Sequence, residues 1–302
     1  INLERRAAAC AIDGHGLFVL HVQLPRGEKG SLGFARESLA LTAGAEFPHE
    51  IIGIEEWMAG YTLVAERFGA GRVFLAGDAA HLFTPTAGQG YNTSVDDASN
   101  LAWKLAAVCQ GWGGPRLLAS YERERQPIAR RNTRFAREMA DSIGLMRLPE
   151  TLEHESVEGE RARAELGARL YRHAAAEFDV PGIHFGIWYG GSPIVSDVDV
   201  EPPVDDPDRY VPNSCPGARA PHVWLEDGVS IFDRFGRDFT LLRLGKGRGL
   251  DSAKLQAAAR ERGVAFHVLD VASDEARDLY ARDLLLIRPD QHIAWRGNSP
   301  PA

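Results

Sequence analysis

The feature that most constrains this chain is residues 71–105, where an apolar run, an acid, a glycine-containing loop and a helical pattern follow one another. The apolar run at residues 72–75 (RVFL) is typical of a short buried strand. Asp78 follows it, at the carboxyl end where open α/β sheets bind their ligands, and a carboxylate there is suited to a sugar hydroxyl. The segment therefore predicts an α/β protein with a ligand site directly after this strand.

The loop and helix after Asp78 are suited to a flat ligand. Pro85, Gly88 and Gly90 lie in the loop, and the two glycines have no side chains to keep a ligand away from the backbone. From Tyr91 to residue 108, apolar residues recur at three- and four-residue spacing, which predicts an amphipathic helix. Its free N–H groups and the positive end of its dipole would face the loop and attract an electron-rich acceptor.

The rest of the sequence divides into further predicted segments. We expect part of a sheet domain at residues 1–66, the segment above with long helices at 67–150, a helical segment and proline-rich linker at 151–213, and a small α/β domain at 214–302. Within them, β-like runs lie at 17–24 and 50–57, helices at 115–146 and 151–178, and a kink or break at Pro127. In the last domain, strands are predicted at 223–225, 239–244, 265–269, 284–287 and 293–295, with helices at 252–262 and 274–280.

Charge and composition narrow the range of partners and cellular settings. The net charge is −8, from 34 basic and 42 acidic residues with no basic block, which argues against nucleic acid as a partner. No apolar run approaches the roughly 20 residues that span a bilayer, so we expect no membrane segment. Cys10, Cys109 and Cys215 are far apart, which predicts reduced thiols in a cytoplasmic protein and no metal site. Because the first residue is Ile1, we expect a longer parent chain.

Three runs carry a resemblance to a known family: GRVFLAGDAAH at residues 71–81, PTAGQGYN at 85–92 and DDASNLAWKL at 96–105. They resemble the second FAD-binding motif of the class A flavoprotein monooxygenases, which share the para-hydroxybenzoate hydroxylase fold. The resemblance implies that Asp78 binds ribityl or ribose hydroxyls, and that the loop and the backbone of Tyr91 contact the flavin ring. The predicted cofactor-binding residues are Asp78, Pro85, Gly88, Gln89, Gly90, Tyr91 and Asn92, and no catalytic residue is assigned.

Two departures from the family pattern carry expectations of their own. Ala87 stands where many relatives have glycine, so Ala87 is expected to adopt a conformation that glycine adopts more easily. The G-x-G-x-x-G turn that holds the FAD pyrophosphate is absent, because the Gly-His-Gly at residues 14–16 lacks the third glycine and the helix that would follow it. The later cofactor-binding motif that contains Asp-Gly is also absent. We therefore expect this chain to carry half of a cofactor site.

The carboxy-terminal part carries a second resemblance. Residues 216–225, 230–245 and 284–297 resemble the thioredoxin-like domain appended to phenol hydroxylase and polyketide hydroxylase relatives. Since Cys215 stands alone, we expect that domain to be redox-inactive and to support packing or homodimer contacts.

Together the resemblances imply an aromatic hydroxylase. NAD(P)H would reduce FAD, O2 would add to the flavin at C4a, and the hydroperoxide would hydroxylate a small aromatic substrate of phenolic or polyketide type. Two alternatives stay open at this point: another chemistry on the same fold, such as a halogenase or an epoxidase, and a non-catalytic chain that serves in assembly.

Other polar and aromatic residues receive plainer interpretations. His81 is interpreted as a hydrogen-bonded structural residue, Asp96 and Asp97 as acids that compensate the helix dipole, and Trp103 as a packing residue. The candidates for an aromatic-substrate pocket are His21, Trp57, Trp188 and Tyr189, although their spacing in the sequence does not show that they meet.

Overall fold

The computed structural model describes residues 3–24, 27–58, 61–225, 228–244 and 252–300. The chain forms two compact units, one made of Ile1–Gly60 with Asp141–Ala175 and the other of Tyr61–Ala140 with Ala176–Ala302. Mixed helices and strands confirm the α/β fold class in both. The predicted domain boundaries do not coincide with these units and remain predictions.

The first unit combines a β-hairpin with helices. Strands β1 (Ala7–Ala11) and β2 (Phe18–Val22) pair antiparallel, and the Asp13 carboxylate accepts hydrogen bonds from three backbone N–H groups of the turn between them. Helix α1 (Leu32–Ala43) begins at Ser31, whose hydroxyl accepts from the Phe34 N–H, and ends at Gly44 with a φ of 76°. A small core forms around Met146, Leu152 and Leu166, the last on helix α4 (Val157–Phe178).

The second unit opens with two short β-ladders and two long helices. Strand β3 (Leu63–Val64) pairs with β6 (His81–Leu82), and β4 (Gly69–Ala70) pairs with β5 (Val73–Phe74). Helices α2 (Gln89–Cys109) and α3 (Pro115–Gly144) follow. The core between these elements contains Phe68, Ala80, Leu101, Tyr121 and Ala129. These contacts fix the turn between β5 and β6 against α2.

A four-stranded sheet forms the carboxy-terminal part of this unit. Its strand order is β10 (Ile293–Gly297), β9 (Leu284–Ile287), β7 (Phe239–Arg243) and β8 (Phe266–Asp270), and only β7 and β8 run parallel. The other helices of the second unit are α5 (Pro181–Phe185), α6 (Ile231–Arg234), α7 (Ala253–Glu261) and α8 (Asp274–Tyr280). The core includes Ile231, Leu242, Leu285 and Ile293. Whether this domain is thioredoxin-like stays a prediction.

Four local predictions were wrong. Helix α3 continues through Pro127 without the predicted break, because buried residues on both sides of the proline, among them Tyr121 and Ile128, hold the two halves in one packed helix. Residues 50–57 form no strand, and residues 223–225 contribute only an isolated bridge at Trp224. The predicted strand at 72–75 shrinks to β5, which pairs only with β4 in the described part of the chain, so that Val73 stays 66% exposed instead of buried.

Among the helices of the described residues, none has both the length and the apolar character needed to cross a membrane.

Candidate functional site

The site begins at a tight turn between β5 and β6. Gly77–Ala79 forms a 3-10 turn in which Gly77 has a φ of 59°, and a Cβ at Gly77 would lie 3.1 Å from the Ser94 hydroxyl oxygen of α2. The left-handed conformation favours glycine there, and a Cβ would make a tight contact with Ser94. Asp78 is exposed, and within the described part of the chain its carboxylate has no hydrogen bond or ion pair. It is free to accept hydrogen bonds from a ligand.

The next element is a second 3-10 turn, Thr86–Gly88, with two left-handed residues in a row. Ala87 has φ 64° and ψ 8°, and Gly88 has φ 61° and ψ 19°. The expectation for Ala87 is confirmed, since this conformation is one that glycine adopts more easily. The Ala87 N–H donates to a carboxylate oxygen of Glu177 at 2.8 Å, and this contact holds the strained turn.

Helix α2 starts directly from this turn, and no side chain caps its first N–H groups. The backbone N–H groups of Gly90 and Tyr91 therefore have no side-chain partner at the positive end of a 21-residue helix. The Asn92 side-chain amide donates back to the Gly88 carbonyl at 2.8 Å. Such an end is suited to an anionic or carbonyl acceptor.

The structure presents most of the predicted cofactor-binding residues at the surface. The exposed ones are Asp78, Pro85, Gly88, Tyr91 and Asn92, while Gly90 is half-buried. Gln89 differs, because its side chain is buried and donates to the Ala87 carbonyl at 3.2 Å. Its side chain therefore supports the loop.

Asp97 lies beneath the Asp78 turn, and the sequence interpretation of it was wrong. Its buried carboxylate accepts from the Gly77 N–H at 3.1 Å, from the Arg125 guanidinium at 2.8 Å, and shares a 2.6 Å hydrogen bond with His81 Nε2. Burial raises the pKa of Asp97, but the His81 hydrogen bond and the Arg125 charge outweigh it and lower that pKa overall.

The helix-dipole interpretation is wrong for both Asp97 and its neighbour Asp96, because of where they lie in α2. Both lie about two turns beyond the start of α2 at Gln89, whereas the dipole acts within the first turn. Asp96 is 3.8 Å from the Arg125 guanidinium instead. The helical spacing of Thr93, Asp97 and Lys104, all buried, is the signal that could have placed Asp97 on the inner face.

The plainer interpretations of His81 and Trp103 are confirmed. His81 is 1% exposed and hydrogen-bonded to Asp97, as a structural histidine would be. Trp103 packs edge-on against Phe239 with ring centroids 5.7 Å apart, and its indole N–H donates to Asp290 at 3.1 Å.

The proposed aromatic-pocket residues of this unit contact protein groups instead. The Trp188 indole N–H donates to the Pro216 carbonyl at 2.9 Å, and the Tyr189 hydroxyl accepts from Arg125 at 3.1 Å. Tyr189 also lines a cavity of about 360 Å³ together with Asp96 and Arg219, and the charges there do not suit an apolar ring. His21 and Trp57 belong to the first unit, and their role stays a prediction.

Two protein families match this chain, and their matches include the elements just described. The family described as FAD binding domain matches residues 34–136, and the family described as Aromatic-ring hydroxylase, C-terminal, matches residues 213–302. The chain belongs to the FAD-dependent aromatic monooxygenases. The Asp78 turn and α2 lie in the first matched segment, and β7 to β10 lie in the second.

Individual relatives agree with the family match. The FAD-dependent monooxygenase apdD of Emericella nidulans is 33% identical over 85% of this chain and 43% of its own length, and phenol 2-monooxygenase of a Pseudomonas species is 32% identical over 82% and 48%. The structure of the rebeccamycin biosynthetic enzyme RebC with reduced flavin has a TM-score of 0.82 at 39% identity, over 97% of this chain and 54% of RebC. The chain thus spans about half the length of these relatives.

Proposed function

We propose that this chain supplies the flavin-ring half of the cofactor site in an FAD- and NAD(P)H-dependent monooxygenase that uses O2 to hydroxylate an aromatic substrate. The observation that carries the proposal is the juxtaposition of two features: an exposed, unpaired Asp78 carboxylate and the uncapped start of α2. The family match supports FAD as the ligand of that juxtaposition.

Asp78 fits the sugar part of FAD. Its carboxylate has no partner in the described part of the chain, and Asp97 holds the preceding Gly77 N–H at 3.1 Å, so the turn is fixed while the acid stays available. We assign it hydrogen bonds from the ribityl or ribose hydroxyls. A hydrogen bond to a charged acceptor contributes about 1.5 to 3 kcal/mol.

The loop and helix start fit the flavin ring. Pro85 and Gly88 are exposed, and Gly90 lies against Phe83, where an added Cβ would be 3.5 Å from that side chain. The backbone N–H groups of Gly90 and Tyr91 would meet the pyrimidine end of the ring and stabilise negative charge there. Bound FAD supplies acceptance of hydride from a nicotinamide and activation of O2. The role of these residues is to bind, orient and polarise it.

The substrate class is proposed from the names of the relatives. Phenol 2-monooxygenase is named for a phenol, and RebC for its place in rebeccamycin biosynthesis. We therefore propose a phenolic or polyketide-type ring as the substrate, with NADH or NADPH as the reductant. The site described above contacts the cofactor, and we assign the substrate contacts to no residue.

The test joins this chain to the amino-terminal half of RebC, which we expect to supply the part of that relative that the chain does not span. NAD(P)H oxidation and formation of hydroxylated product are measured with FAD and a panel of phenols and polyketide-type aromatics. We expect FAD-dependent oxidation that a substrate ring accelerates, and a loss of that activity in Asp78→Asn. Asp238→Asn is the matched control, because Asp238 is an exposed aspartate of the carboxy-terminal segment, residues 213–302. A joined protein that binds FAD but hydroxylates none of the rings would contradict the proposed activity.

A further inference from the structure

A buried ion cluster joins the carboxy-terminal segment to the two long helices of the same unit. Arg288, which follows β9, reaches both carboxylate oxygens of Glu124 on α3, at 2.8 and 2.9 Å. It also pairs with Asp290 at 2.6 Å, and Lys104 of α2 reaches Glu124 at the same distance. The side chains of Arg288, Glu124 and Lys104 are 0% exposed. Two positive and two negative charges therefore balance inside the protein.

The residue after Glu124 connects α3 to the Asp78 turn. Arg125 is also fully buried, and its guanidinium donates to Asp97 at 2.8 Å. Asp97 in turn accepts from the Gly77 N–H, one residue before Asp78. Neighbouring residues of one helix turn thus bind the carboxy-terminal segment on one side and the flavin turn on the other.

A second set of contacts connects the same two places. The Arg288 guanidinium lies over the Tyr189 ring, 5.2 Å from its centroid, which is within the range of a cation–π interaction. The Tyr189 hydroxyl accepts from Arg125 Nη1 at 3.1 Å. Arg288 is therefore linked to Arg125 in two ways: through the Tyr189 side chain, and through Glu124, which precedes Arg125 in α3.

We propose that Arg288 is a positioning residue for the Asp78 turn, acting through Glu124, Tyr189 and Arg125 on Asp97. Its importance for FAD rests on the proposed function, but its effect on the turn does not. Because a buried charge without its partner is strongly unfavourable, these side chains keep one arrangement as long as Arg288 stays in place. Among the hydrogen bonds of the described residues, none joins the carboxy-terminal segment to the loop at residues 85–92. That segment would nevertheless affect flavin binding through Arg288.

The test is amide hydrogen exchange of the 302-residue chain, resolved at Gly77 by NMR. Arg288→Met leaves Glu124 and Asp290 facing Lys104 alone, so the charge-balanced variant Arg288→Met/Asp290→Asn is measured beside it. Tyr189→Phe removes a single hydroxyl and leaves the ion cluster intact. The matched control is Arg282→Met, an arginine of the same segment in a half-exposed pair with Asp199.

We expect the Gly77 amide to exchange about tenfold faster in the charge-balanced variant and severalfold faster in Tyr189→Phe, as for coupled neighbouring groups. The amides of Leu241 and Leu242, buried in β7, should keep their protection, which a general loss of stability would not allow. Arg282→Met should leave Gly77 unchanged. A wild-type exchange rate at Gly77 in Tyr189→Phe, and in the charge-balanced variant wherever it folds, would overturn the proposal.

FAD titration of the protein joined to the RebC amino-terminal half separates this inference from the proposed function. If the unchanged joined protein binds no FAD, the proposed function fails, while the exchange result at Gly77 still decides the inference. If it binds FAD, the charge-balanced variant should bind about tenfold more weakly. Equal affinity would show that Arg288 does not position the flavin turn.

Discussion

Replacing Glu124 with glutamine tests the buried ion cluster through acid stability. The Glu124 carboxylate accepts hydrogen bonds from Lys104, Arg288, Asn100 and Ser192. Burial raises its pKa, but the Arg288 charge and hydrogen bond and the Lys104 charge outweigh this and lower the pKa from 4.5 to about 2. Because the folded pKa lies below the unfolded one, its stabilising contribution is fully present above pH 4.5 and is lost as the pH falls towards 2.

The expected size follows from that pKa difference. A lowering from 4.5 to about 2 corresponds to roughly 3 kcal/mol of unfolding free energy at neutral pH. Glu124→Gln cannot titrate, and it leaves buried cations incompletely paired, so we expect it to be about 3 to 5 kcal/mol less stable than wild type at neutral pH. Below pH 4.5 the wild type loses this contribution and the variant does not. The stability gap between them should narrow by roughly 3 kcal/mol.

The assay is urea denaturation of both proteins at a series of pH values from neutral to about 2. Asp97, whose pKa is also lowered and which has no hydrogen bond to Glu124, titrates in both proteins and cancels in the difference. Glu165→Gln is the control, because Glu165 forms an exposed i,i+4 pair with Arg161 and should show a small gap at every pH. A Glu124→Gln gap that stays constant throughout this pH range would refute the reasoning.

Three further predictions concern single residues. Asp78→Ala should weaken FAD binding by about tenfold or more in the joined protein, because a charge-assisted hydrogen bond to a sugar hydroxyl is lost, and an unchanged dissociation constant in an equilibrium titration would remove Asp78 from the site. Ala87→Gly should leave the unfolding free energy within about 0.5 kcal/mol of wild type or raise it, because glycine relieves the left-handed backbone strain at that position. The control Ala107→Gly, inside α2, should lower the unfolding free energy by about 1 kcal/mol. Equal losses in the two variants would contradict the claim that Ala87 is strained. The whole chain should have no disulfide reductase activity in insulin reduction with dithiothreitol. Cys215 is buried, burial raises the pKa of its thiol, and the carboxy-terminal segment has no second cysteine to pair with it. Turnover that Cys215→Ser abolishes would contradict this prediction.

The local order of the flavin segment could be predicted from the sequence because it is written in neighbouring residues. The strand, acid, loop and helix at residues 71–105 appear in that order, and α2 begins at Gln89, two residues before the predicted start at Tyr91. Turn conformations at Ala87 and Gly88 also follow from local chemistry, since left-handed backbone favours glycine.

The contacts that hold this segment in place could not be predicted in the same way. Glu124 and Arg288 are separated by 164 positions, and periodicity shows only that a residue faces inwards. Charged residues usually lie at the protein surface, so the sequence alone favours a helix-dipole role for Asp97 over a buried ion pair. Pro127 misled for a related reason: a local helix-breaking signal is outweighed by packing along both halves of α3.

The central claim, that residues 78–92 form one half of an FAD site, is tested most directly by flavin retention. The 302-residue chain and the protein joined to the RebC amino-terminal half are each incubated with FAD and desalted, and the visible flavin band is compared with the protein concentration. We expect a stoichiometric yellow complex from the joined protein and none from the chain alone, because the chain has no G-x-G-x-x-G turn for the pyrophosphate. Stoichiometric flavin on the chain alone would contradict the half-site, and a colourless joined protein that is folded would contradict the flavin site itself.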